Sequence, residues 1–139
     1  MTTYVSIGDV LAIHETLVQL YGGSAGVRDI TLVESALARP QAGFGGYEAY
    51  PTLFDKAAVL MQGLIKNHGF VDGNKRTGTA VAAIFIKLNG HKLGATDTQL
   101  ENLAVNVAED KYSTEELAAW LKNTHGGLET NWTKKTAFP

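Results

Sequence analysis

The chain contains no cysteine. Neither a disulfide framework nor a thiolate metal site is therefore open to it, which fits a reducing cytoplasm. No apolar run approaches the ~20 residues of a membrane-spanning helix. The opening residues also lack the charged-then-apolar pattern of a signal peptide. Charge of one sign is missing too: 12 Lys and Arg against 14 Asp and Glu leave a net charge of −2. The two signs are mixed along the chain, so there is no basic stripe of the kind that tracks nucleic acid. A Gly-Lys-(Ser/Thr) phosphate loop is absent, which excludes a Walker-type nucleotide fold. No repeat, heptad pattern or domain break is visible. What remains is 139 residues, 45% of them apolar, the size and composition of one domain with one core.

Nearly every periodic segment is helical. Ser6 to Asp9 has capping-box spacing, with Asp in the place of Glu. Val10, Leu11, Ile13, Leu17, Val18 and Leu20 follow, up to Gly22-Gly23. A second helix is expected from Asp29 to Arg39, stopped by Pro40. Two more are expected over Leu53–His68 and Asn74–Asn89, a fifth over Asp97–Asp110, and a sixth from the capping box Ser113/Glu116 to near Gly126. The expected fold class is all-α, a single-domain bundle of about six helices with no strand pair.

The segment His68-Gly69-Phe70-Val71-Asp72-Gly73-Asn74-Lys75-Arg76 concentrates the chemistry. Histidine is the side chain best suited to take a proton near neutral pH. Asp72 is a hard oxygen donor of the kind Mg²⁺ prefers. Gly73 permits a turn that other residues resist. Arg76 can hold phosphate with two parallel bonds, and Lys75 acts as a point charge. Before the segment, Leu53, Ala57, Leu60, Met61, Leu64 and Ile65 recur at helical spacing, and His68 is expected to continue that inward stripe. After it, Thr77, Val81, Ile84, Phe85 and Leu88 mark one face of the next helix, which Asn89-Gly90 ends. Asn74, Lys75 and Arg76 thus fall at a helix N-terminus, where free N–H groups and the helix dipole favour an anion.

Singly, each residue has an ordinary explanation. A lone His at a helix end is commonly a cap or a packed core group, and Asp-Gly-Asn is a common turn. Turn chemistry, however, does not call for a His, an adjacent aromatic and two cations entering the next helix. Phe70 reads as the apolar anchor of the loop. The other histidines, His14, His91 and His125, have no partners at motif spacing and read as structural or surface residues.

The nine residues resemble the signature of the Fic/Doc family, His-x-Phe-x-(Asp/Glu)-(Gly/Ala)-Asn-(Gly/Lys)-Arg, at every fixed position. Lys75 is similar to the Doc (death-on-curing) branch, where the Fic branch has Gly. Leu11-Ala12-Ile13-His14 through Leu20-Tyr21-Gly22-Gly23 and the Leu88-Asn89-Gly90 ending also resemble Doc-like chains, and the likeness covers about residues 4–125. The resemblance implies a Fic/Doc-like domain over 1–126 with a flap before its central helix. It implies His68 as the general base toward a target Ser, Thr or Tyr hydroxyl, and Asp72 as the Mg²⁺ ligand. Gly73, Asn74, Lys75 and Arg76 would form the anion hole for ATP.

Two chemistries occur in the family. Fic proteins mostly transfer AMP to a protein hydroxyl, whereas Doc transfers the γ-phosphate to elongation factor Tu and stops translation. A Lys at position 75 would crowd the space that receives the β-phosphate in the Fic branch and reverse the nucleotide. Thr79 stands where that branch commonly has a second Arg. Both departures favour the kinase over AMP transfer. One departure points the other way: Ala80 stands where Doc has Asn, and a polar contact is lost.

Residues 40–52 are rich in Gly and aromatics. They are either a mobile connection or a flap whose main chain pairs with an extended target. Their alternation is too broken to predict a hairpin, and Phe44, Tyr47 and Tyr50 would be the contacts. Residues 127–139 lack periodicity and read as a flexible tail. The inhibitory signature (Ser/Thr)-x-x-x-Glu-(Gly/Asn) of many Fic proteins has no strict match: Glu101-Asn102 is the only such pair, and Asp97 stands four residues before Glu101. The resemblance therefore implies a toxin with a separate Phd-like antitoxin that folds on binding. A metal-dependent hydrolase has too few ligands here. A catalytically dead binding module would be expected to carry a broken motif, and this motif is intact.

Overall fold

Five of the six α-helices among the described residues begin on a side chain that closes the first turn. The structure is a computed structural model and describes residues 1–124. Helix α1 (Ile7–Tyr21) opens with the reciprocal Ser6/Asp9 capping box, and α2 (Ile30–Ala38) with Asp29 bonded to the Thr31 N–H. Arg39–Gln41 continues as a 3₁₀ turn with Pro40 inside it. Helix α3 (Leu53–Lys66) starts on Thr52, α5 (Asp97–Ala108) on a Thr96/Gln99 box, and α6 (Thr114–Asn123) on the Ser113/Glu116 box. Such caps satisfy main-chain donors that the helix itself leaves unpaired. Helix α4 (Asn74–Leu88) has no side-chain cap among the described residues.

The all-α expectation holds, with one small addition. Residues Gly43–Phe44 (β1) and Tyr47–Glu48 (β2) pair antiparallel, Gly43 opposite Glu48 and Phe44 opposite Tyr47. The turn between them is Gly45-Gly46, both with positive φ (53° and 85°). Two residues of that conformation match the twist of a tight hairpin, and Gly adopts it without strain. The flap is thus ordered as a short hairpin. Its tip residues Phe44 and Tyr47 are 80% and 62% exposed, with ring centroids 5.8 Å apart. Its heel is tied inward by Lys56 of α3, which is 2% exposed. The Lys56 ammonium donates to Glu48 Oε1 at 2.8 Å and to the Tyr50 carbonyl.

Helix α3 is the axis of the molecule. From Phe54 to Ile65 only Asp55 and Gln62 escape full burial, as expected of a helix enclosed on all sides. Helices α2, α4, α5 and α6 surround it. Phe54, Leu60, Met61 and Leu64 meet Val81, Phe85, Leu103 and Leu117 in one continuous core. Helix α1 lies along α4, and its start is stitched to the end of α4 by Asn89, which bonds both the N–H and the C=O of Thr3. Helices α3 and α5 end sooner than their patterns predict, at Lys66 and Ala108. No helix among the described residues is long and apolar enough to cross a membrane. The expected tail 127–139, the reading of His125 and the expected end near Gly126 lie outside the described residues.

Candidate functional site

The link between α3 and α4 is built by long-range pairing. The Asn67 N–H bonds the Gly63 carbonyl at 3.0 Å, and its amide reaches the Leu32 carbonyl at 3.0 Å. At His68 the chain turns left-handed, with φ 52°. The next residues then lie against the segment that enters α2. The N–H groups of Arg28 and Asp29 both donate to the Gly69 carbonyl (2.8 and 3.0 Å), and the Val71 N–H donates to the Gly26 carbonyl (3.1 Å). Val27 and Phe70 face each other in an antiparallel bridge.

This corrects the expected placement of His68. The helix stops before it, and the left-handed turn breaks the inward stripe, so the imidazole is exposed rather than packed. Phe70, 2% exposed, fills the core position instead. Its ring stacks on His14 of α1, centroids 3.9 Å apart at 11°. His14 Nε2 lies 2.8 Å from the Asp72 carbonyl. A carbonyl only accepts, so Nε2 carries the proton. His14 is thus the floor of the motif loop. It is buried with Val10 and Leu17, and that spacing on α1 was the signal for it.

Asn74 closes the loop. Its Oδ1 accepts from the Phe70 N–H and its Nδ2 donates to the Phe70 carbonyl, both at 3.0 Å and buried. The Asn74 side chain is spent on these two bonds, and what it turns to the site is its main-chain N–H. Gly73 precedes it with φ 78° and ψ 20°, a left-handed conformation in which a Cβ is strained. The first helical bond of α4 runs from the Thr77 N–H to the Gly73 carbonyl, 2.9 Å. By helix geometry the N–H groups of Asn74, Lys75 and Arg76 lack an intrahelical acceptor. With no cap, they are presented outward at the positive end of the helix dipole.

Asp72 borders this helix mouth. Its carboxylate accepts from the Ser24 N–H (Oδ2, 3.1 Å) and the Gly73 N–H (Oδ1, 2.8 Å). Those two bonds, with the nearby Arg76 guanidinium, hold its carboxyl below the usual range. It is ionised at neutral pH. Among the described residues no group of three His, Cys, Asp or Glu could hold a metal alone. A single exposed carboxylate beside an anion site does fit Mg²⁺, which is commonly shared between one or two carboxylates and bound phosphates.

A cavity of about 300 Å³ opens in front of the mouth, lined by Asp72, Gly73, Asn74, Lys75, Arg76 and Thr79. Its opposite wall is α5, through Leu100, Glu101, Ala104 and Val105. The Arg76 guanidinium lies 4.4 Å from the centroid of the Tyr21 ring, a cation–π contact that orients it. Lys75 is exposed. The Thr79 hydroxyl donates to the Lys75 carbonyl at 2.7 Å. Ala80 is buried in the core and away from the cavity.

Five of the six residues singled out from sequence, 72 to 76, line one cavity. The sixth, His68, stands on the same loop in the open, outside that lining. The α5 wall and the ring of Tyr21 were not foreseen, because no local pattern marks them.

The residues 4–86 match the model of the Fic/DOC family. Toxin Doc of Mycolicibacterium smegmatis is 41% identical over 132 residues, which covers 94% of this chain and 99% of that protein. Protein kinase doc of Escherichia phage P1 is 29% identical over 126 residues, 91% of this chain and 98% of its own length. Motif, helical architecture and these likenesses over nearly the full length agree: the chain is a member of the Fic/Doc family, in its Doc branch.

Proposed function

We propose that this chain is a Doc-type toxin that transfers the γ-phosphate of ATP to a hydroxyl of elongation factor Tu, in the cytoplasm, and so blocks translation. One observation carries the reading: Asp72, Lys75 and Arg76 border a single cavity at the one uncapped α-helix N-terminus among the described residues. That is the arrangement a polyphosphate needs. The names of the two relatives, a toxin and a protein kinase, support the same class.

In this mechanism the main-chain N–H groups of residues 74–76 and the Arg76 guanidinium bind phosphate oxygens. Lys75 adds charge where the Fic branch has none. Asp72 would hold Mg²⁺, which when bound neutralises charge on the phosphates. Phosphoryl transfer relies mostly on positioning and charge, and these groups supply both. His68 takes the proton from the target hydroxyl at its ring nitrogen. A base that must meet a second protein has to be exposed, as His68 is. The hairpin tip, with Phe44 and Tyr47 uncovered, supports a role in holding the target chain.

The reading includes a separate Phd-like antitoxin. A shallow apolar groove of about 200 Å³ between α1 and α4, lined by Ala12, Ile13, Thr16, Leu17 and Ile84, supports a partner of that kind. The deciding experiment incubates the protein, Mg²⁺ and a bacterial lysate with ATP labelled at the α- or the γ-phosphate. The expected result is γ-label alone, on elongation factor Tu. Transfer of α-label would replace the kinase with AMP addition, and transfer of neither would leave a binding module.

A further inference from the structure

The imidazole of His68 makes no hydrogen bond among the described residues, so its direction is set by its own main chain. That main chain is in a left-handed conformation, φ 52°, which side-chain-bearing residues rarely adopt. After a helix this place is usually taken by glycine. Something has to hold a histidine there.

We infer that Arg28 is the positioning residue that sets His68. Its guanidinium reaches across from the segment before α2 and spans two successive carbonyls at the end of α3. Nε donates to the His68 carbonyl at 2.7 Å, and Nη2 donates to the Asn67 carbonyl at 3.2 Å. These carbonyls lie where the helix leaves acceptors unpaired and where its dipole is negative. A planar fork meets them from two nitrogens held in one fixed geometry, whereas a lysine ammonium offers a single point charge on a flexible stem. The main-chain bonds to Gly69 from Arg28 and Asp29 fix the residue after His68. The fork fixes His68 itself. Arg28 is absent from the cavity lining, so it acts through the base and not on the nucleotide. The catalytic part of this inference rests on His68 being that base.

The test compares wild type, Arg28→Ala and Arg28→Lys in two assays. The first is the initial rate of γ-label transfer to lysate protein over a range of ATP concentrations. With Arg28→Ala, kcat is expected to fall about 10- to 100-fold, as for a group displaced from its reacting geometry, while KM for ATP stays within about twofold. Arg28→Lys should recover only part of the loss. The second assay reads the His68 ring by NMR in the full chain without nucleotide. Its resonances should shift and broaden in Arg28→Ala, while those of His14 stay in place. An unchanged kcat, a KM that rises at constant kcat, or unmoved His68 resonances would overturn the inference. If wild type transfers no label, the kinase reading falls by itself. The ring resonances then decide, moved ones upholding Arg28 as the residue that sets His68 and unmoved ones rejecting it. Should Arg28→Ala fail to fold, Arg28→Lys is judged by the same criteria.

Discussion

Removing the amide of Asn74 tests whether that side chain serves the fold or the nucleotide. In the structure it bonds both polar groups of the Phe70 main chain, each at 3.0 Å and buried. The bridge to Val27 uses the neighbouring residues' main chain, so Phe70 has no substitute partner from it. Asn74→Ala leaves one donor and one acceptor unpaired. Each such group costs about 1–3 kcal/mol, or about 2–6 kcal/mol together. A water can enter the space left by the amide and recover part of this, so about 3 kcal/mol is the working figure. For a chain of 139 residues that corresponds to a fall in Tm of roughly 10 °C. Asn74→Asp keeps an acceptor for the Phe70 N–H but sets a buried carboxylate oxygen against its carbonyl, and should also melt below wild type. Thermal unfolding followed by circular dichroism reads these shifts, and nucleotide binding is measured well below each Tm. If Asn74→Ala melts with wild type yet loses ATP affinity, the amide is a ligand and the reasoning is wrong.

Other substitutions separate chemistry from stability. His68→Ala should lower transfer by about 10²–10⁴-fold with Tm within about 2 °C, because its ring is exposed and makes no hydrogen bond among the described residues; undiminished transfer removes His68 as the base. His68→Gly suits the left-handed main chain and should match wild-type stability or exceed it by up to about 1 kcal/mol; urea unfolding checks this, and a clear loss argues that the ring packs on something. The Thr77 hydroxyl is buried without a hydrogen-bond partner among the described residues, so Thr77→Val should stabilise by about 1 kcal/mol; destabilisation would reveal a bound water. The carboxyl of Asp72 is lowered by its bonds to the Ser24 and Gly73 N–H groups, so its stabilising contribution is present above the unfolded value of about 3.9 and lost as pH falls through its lower folded value. The difference in unfolding midpoint between wild type and Asp72→Asn should therefore narrow from pH 6 toward pH 2, and a difference that widens in acid contradicts the assignment.

The parts of this molecule legible in the sequence are those fixed by neighbours along the chain. Ser6 with Asp9 and Ser113 with Glu116 mark helix starts that the structure keeps. The motif residues 72 to 76 reach one cavity because a single turn and a helix start carry them. His68 was misplaced because its direction is set by pairing with Arg28 and Asp29, some forty residues earlier, which no helical period encodes. Glu101 and Val105 of α5 enter the cavity for the same reason, since tertiary packing alone brings them there. The hairpin had a usable local signal in Gly45-Gly46 flanked by aromatics, but strands of two residues are too short for alternation to show.

The amine of Lys56 has a practical consequence. An acylating reagent modifies lysine side-chain nitrogens that solvent can reach, such as those of Lys75 and Lys111. The Lys56 nitrogen, sealed behind Glu48 and Tyr50, is silent toward such a reagent for as long as the hairpin stays seated. Acylation at this one position, followed by mass spectrometry, therefore times the unseating of the hairpin in unlabelled protein. A target peptide that clamps the hairpin slows that clock, and one that pries it loose speeds it.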